Sequence, residues 1–234
     1  MKQKKTVITY MILSVLGAVL LLLISIFPPL DAGSVYLTDR LIVGGAFIAC
    51  CVFGISLAIK PGWIRRLSNK ANHGAEITKG VKVKRSRRGH HPDCHGFQTH
   101  IINTKKKGFC AGCTGLAIGS VSSIIFTAYY IVFWVGIPWI ILFLLILLGI
   151  LLIVFNYMEV VNPYKKSFLH LISNVFLIIG FLLVVIGVFQ STGNIFIGIS
   201  AVLISFLWLD TRIQLSSWRH TKICKTCKKT CKAY

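Results

Sequence analysis

The residues best suited to chemistry are thiols and imidazoles gathered in two short stretches. The first reads Gly89-His90-His91-Pro92-Asp93-Cys94-His95-Gly96-Phe97-Gln98-Thr99-His100, followed ten residues on by Cys110-Ala111-Gly112-Cys113-Thr114-Gly115. A CxxC turn with small residues between its thiols lets two sulfurs face one ion, and zinc closes a structural site with four such ligands in a tetrahedron. Fifteen residues separate Cys94 from Cys110, a spacing suited to zinc knuckles, so Cys94, Cys110 and Cys113 supply three thiolates. His95 and His100 are the leading candidates for the fourth ligand, and His91 follows as a neighbour of the site. The second stretch, Cys224-Lys225-Thr226-Cys227 with Cys231 beyond it, offers a rival. Cys224 and Cys227 could join Cys110 and Cys113 in a four-cysteine site, or hold a second ion. Cys224-x2-Cys227-x3-Cys231 matches no standard four-ligand iron–sulfur run, so zinc is the expected metal and an iron–sulfur cluster ranks below it. Without a CxxCH, covalent haem is not expected.

Other chemistries fit the same residues less well. A membrane thiol–disulfide oxidoreductase would use Cys110 and Cys113, exchanging with Cys224 and Cys227. A metal-dependent hydrolase would need an open zinc position, with His90, His91 and His100 as ligands and Asp93 or Asp210 as base. No HExxH or paired-carboxylate motif supports it. No catalytic residue is assigned, and the balance leans away from an enzyme.

The elements that must position these groups are membrane spans. Of 234 residues, 55% are hydrophobic and only 14% charged, far from the composition of a soluble domain. A helical span needs about 20 mostly apolar residues. Thr6 to Leu30 is uncharged and too long for a cleaved signal core. Leu41 to Ile59 is the second span. Gly108 to Met158 holds two, broken at Gly136-Ile137-Pro138, and Ser167 to Leu209 holds two more, divided at Gln190-Ser191-Thr192-Gly193-Asn194. The expected fold is therefore all-α and polytopic. Spans one and two occupy 1–60, a basic Cys/His-rich loop 61–109, spans three to six 110–216, and a basic Cys-rich tail 217–234.

Lysine and arginine orient the spans. With six spans, every one of the 26 basic residues except Arg40 falls on one side. That side is expected to be cytoplasmic, with both termini on it, in a multi-pass protein of the plasma membrane. Cytoplasmic thiols are normally reduced, which favours metal over a disulfide framework. Lys82, Lys84, Arg85, Arg87 and Arg88 in the loop are expected to meet anionic lipid head groups, each contributing roughly 1 kcal/mol near the surface. Aromatic interleaving and a recognisable nucleic-acid module are both missing, so nucleic acid is not an expected partner. A short-looped protein of this kind also suits a subunit of a membrane complex.

Cys50 and Cys51 lie within span two and read as small buried apolar residues. Asp210, near the inner end of span six, could accept a hydrogen bond from a ligating histidine or pair with a nearby cation. Glu159 and His170 read as interface residues satisfied by water and head groups. No Asp/Glu/His chain crosses the membrane middle, so a proton-driven pump or ion transporter has little support, and a transporter or channel stays an alternative on architecture alone. Gly115, Gly119, Ser120, Ser122 and Ser123 suit close helix packing on span three.

Cys94-His95, Phe97, Cys110-Ala111-Gly112-Cys113-Thr114-Gly115 and Gly119 together resemble the signature of a family of small prokaryotic membrane proteins bearing a domain of unknown function. The family pattern is a Cys-His pair, an aromatic residue and a C-A-R-C-T-G turn entering a span; Gly112 stands here in place of its arginine. The resemblance covers about residues 90–120. It implies a multi-span protein with Cys94, His95, Cys110 and Cys113 as its distinctive positions.

Overall fold

A computed structural model of the chain describes residues 2–27, 35–59, 87–88, 91–92, 100–103, 108–133, 136–162 and 166–226. Among the described residues there are six α-helices: α1 (Lys2–Ile26), α2 (Leu37–Ile59), α3 (Ala111–Val132), α4 (Trp139–Val161), α5 (Ser167–Thr192) and α6 (Ile195–Thr226). Each is long and apolar enough to cross a membrane, and the chain is an all-α polytopic membrane protein. Two short antiparallel ladders precede α3: β1 (Arg87–Arg88) with β2 (His91–Pro92), and β3 (Ile101–Asn103) with β4 (Gly108–Cys110).

The expected breaks have local causes. Between α5 and α6, Gly193 takes the left-handed conformation (φ 60°) that a residue with a Cβ disfavours, and its N–H caps Phe189 O. Asn194 then opens α6, its side-chain oxygen accepting from Phe196 N at 2.9 Å. Pro138 precedes α4, where a missing N–H costs nothing. The outer ends of the chain depart from expectation. The first helix starts at Lys2 rather than Thr6, because lysine is a good helix former and its stem can follow the surface. The last helix runs on to Thr226, well into the stretch expected as a tail.

α1 and α6 run antiparallel. Gln3 Nε2 donates to Ser217 Oγ at 3.4 Å, the hydroxyls of Ser14 and Thr211 meet at 2.7 Å, and Trp208 Nε1 donates to Ser14 O at 3.0 Å. The start of α1 and the end of α6 therefore lie at the same face, called the basic face below. α5 is the axis, packed against α3 on one side and α4 on the other. Its Leu177, Val184, Val188 and Phe189 are wholly buried. Lipid is as apolar as leucine, so close packing has to hold such helices together. A Cβ on Gly149 would stand 2.7 Å from Gly180 O, and one on Gly180 2.8 Å from Gly149 O. Likewise, Gly115 and Gly119 let α3 rest on the α5 backbone at Leu171 and Val175.

Arg40, the one basic residue of the opposite face among the described residues, is buried. Its Nη1 donates to Ile131 O at 2.9 Å, capping the carbonyl end of α3. Exposed aromatic side chains surround it at the same level, among them Tyr36, Tyr129, Phe133, Trp139 and Phe196.

Candidate functional site

Cys110 ends β4 and Cys113 lies in the first turn of α3, so a hairpin strand feeds the CxxC directly into a helix. Neither thiol is in a disulfide, and the two are in hydrogen-bond contact with each other. The Cys110 carbonyl accepts from Thr114 Oγ1 at 2.9 Å, which fixes the turn. Register places Ile101 opposite Cys110, so His100, one residue earlier, sits level with the start of α3. The hairpin is tied to α5 by Ser167 Oγ, which donates to Ile101 O at 3.1 Å.

Around this turn lies a buried charged cluster. Glu159, at the end of α4, is 1% exposed, and His170, in the first turn of α5, is 8% exposed. His170 Nδ1 stands 2.8 Å from Glu159 Oε2, and Ser173 Oγ donates to the same oxygen at 3.1 Å. The carboxylate accepts, so Nδ1 carries the hydrogen and Nε2 is left facing the CxxC turn. A Cβ on Gly112 would stand 3.1 Å from that Nε2 and 3.2 Å from Arg212 Nη2. Position 112 is thus crowded by an arginine from α6. Arg212 is 9% exposed and close enough to Cys110, Cys113 and Glu159 to feel the charge of each. His100, 6% exposed, meets His170 edge-on at 4.8 Å between ring centroids and His220 at 5.7 Å. Arg219 closes the cluster by donating from Nη1 to Val160 O at 3.0 Å and also to Val161 O, at the carbonyl end of α4. That cap explains why α6 extends so far.

Glu159 and His170 are therefore corrected: they form a buried hydrogen-bonded pair instead of facing water and head groups. Their signal in the sequence was being ionisable within otherwise apolar spans. That they point at each other, and that Arg212 and His220 share their level, arises from helix rotation and could not be seen in the sequence. Asp210, expected beside a ligating histidine, lies instead beside the Tyr10 hydroxyl on the α1 side of α6. Cys51 is buried and Cys50 half-buried, as small apolar residues would be.

Of the expected ligands, the structure brings His100, Cys110 and Cys113 to one end of α3. Among the described residues, no three His, Cys, Asp or Glu side chains converge on one point in a way that could hold a metal ion. Cys94, His95, Cys227 and Cys231 lie outside the described residues; His91 and Cys224 are described only as backbone, in β2 and α6. Of the expected head-group contacts, Lys82, Lys84 and Arg85 also lie outside, and Arg87 and Arg88 are described as the backbone of β1. No protein-family model, curated protein or solved structure matches the chain.

Proposed function

We propose that this multi-pass membrane protein carries a zinc site on its cytoplasmic face, held by Cys94, one histidine (His95 or His100), Cys110 and Cys113. The site's role is structural, in an accessory protein of the plasma membrane or a subunit of a membrane complex. One observation carries the reading: the two CxxC thiols touch each other at the junction of β4 and the first turn of α3. That junction holds two sulfurs on one side of a short turn, the arrangement a chelating pair requires. His100 is already drawn to His170 and His220, which favours His95 as the fourth ligand. The loop basic residues Lys82, Lys84, Arg85, Arg87 and Arg88 would then lie against anionic head groups.

Metal analysis of the detergent-purified protein tests this. Wild type should hold about one zinc per chain, and Cys110→Ser and Cys94→Ser should lose it, since a structural site needs all four ligands. Retention in Cys224→Ser confines the ion to the loop and α3; loss there would mean that the tail shares it. Metal-free wild-type protein would overturn the reading. A second reading, a thiol–disulfide oxidoreductase using Cys110 and Cys113, draws on the same contact and on the lack of a third converging ligand among the described residues. Reversible disulfide formation between Cys110 and Cys113 in metal-free protein would put it first.

A further inference from the structure

Between α2, α3, α5 and α6 runs a half-open apolar groove enclosing about 120 Å³, with Phe47, Gly54, Cys113, Phe181, Phe206 and Ile213 among its walls. No acidic or basic side chain lines it. Its two serine hydroxyls add little polarity, and that of Ser205 is turned to Ala201 O. Along α6 the walls extend from Val202 to Ile213, about 16 Å at 1.5 Å per residue. That is close to half the roughly 30 Å of a hydrocarbon core, the depth of one leaflet. The groove ends at Cys113, in the first turn of α3, on the basic face.

Two observations mark that end as a place for an anion. The N-cap residue Cys110 makes no side-chain cap, and the first N–H groups of a helix have no partner within it. Arg212 is nine-tenths buried, its Nε has no hydrogen-bond partner, and its Nη2 points at this turn beside Gly112.

We infer that the groove binds an anionic membrane phospholipid, one acyl chain along α2 and α6 and the phosphate against Arg212 and the start of α3. The inference rests on the groove and the guanidinium, not on the zinc reading.

The test is bound-lipid counting by native mass spectrometry, after reconstitution into nanodiscs of equal phosphatidylglycerol and phosphatidylcholine with matched chains. Wild type should retain one phosphatidylglycerol, preferred by about tenfold, the ratio that 1.4 kcal/mol gives. Gly54→Phe should lose it. A Cβ there meets only Ser120 Oγ, at 3.6 Å, so the ring can enter the groove without moving a helix. Arg212→Gln should keep a lipid but lose the preference, and Arg212→Lys should restore it. Cys94→Ser, which removes a proposed zinc ligand and no part of the lipid site, should bind lipid as wild type does, whatever becomes of zinc, so a failed metal reading and a failed lipid reading are told apart. Equal retention of the two lipids overturns the proposal, and so does unchanged retention in Gly54→Phe or lipid loss in Cys94→Ser. A protein that co-purifies with lipid-free wild type and is absent from Gly54→Phe also overturns it, by assigning the groove to a partner's helix. If Arg212→Gln does not fold, the Gly54→Phe comparison alone decides.

Discussion

The Glu159–His170 pair can be taken apart by a double-mutant cycle. Glu159→Leu leaves an imidazole without its acceptor in a site that is 8% exposed, and leaves Ser173 Oγ only His170 O to donate to, at 3.2 Å. Removing one partner of a buried charged pair costs about 3–5 kcal/mol, most of it from the group left behind. His170→Leu leaves the carboxylate, 1% exposed, holding only the Ser173 bond, and should cost about the same. The double variant strands neither group, so its cost should fall short of the sum by more than about 1 kcal/mol. Glu159→Gln keeps the shape and one acceptor oxygen, and should lose about 1.5–3 kcal/mol, the range for a charge-assisted hydrogen bond. The readout is unfolding in mixed micelles, followed by tryptophan fluorescence, to which the buried Trp208 reports. If the single costs add to within about 0.5 kcal/mol, the two side chains are not coupled and the buried cluster is wrongly drawn.

Gly115→Ala should be poorly tolerated, because its Cβ would collide with Leu171 O in α5, whereas Gly45→Ala, with nothing within 4 Å, should be neutral or stabilise by up to about 1 kcal/mol; thermal unfolding of the two side by side checks this. Arg40→Met uncovers Ile131 O and should cost about 1–2 kcal/mol, yet cysteine-accessibility mapping should show unchanged topology, since the described lysines and arginines at the ends of α1 and α6 stay on the opposite side. Trp208→Phe removes the bond to Ser14 O and should lower stability by about 1 kcal/mol in the same unfolding assay, with α1 becoming easier to cleave by protease.

Span number and the positions of the breaks were legible in the sequence, because hydropathy over 20 residues and Gly/Pro punctuation are local properties. Gly193 and Pro138 fell where the breaks were expected. Helix ends were less legible: α1 begins among lysines that hydropathy excludes, and α6 runs on because Arg219 has carbonyls to cap on α4, a contact between residues 58 and 59 apart in the chain. The CxxC was plain from spacing alone. Its surroundings were not, since spacing says nothing about how α4, α5 and α6 are rotated. That rotation turned Glu159 and His170 inward and brought Arg212 to Gly112, while Asp210, two residues before Arg212, was carried round to Tyr10.

With Arg40 spent on the carbonyl end of α3, the face opposite the CxxC presents aromatic rings to its leaflet where the other side presents lysine and arginine. Rings settle at a fixed depth whatever the head-group charge, while a basic surface tightens or slackens with the anionic lipid beneath it. On the proposed reading, in which the basic loop meets anionic head groups, the molecule is keyed to a bilayer with unlike halves: one leaflet sets its height, and the composition of the other sets how firmly the CxxC end is held down.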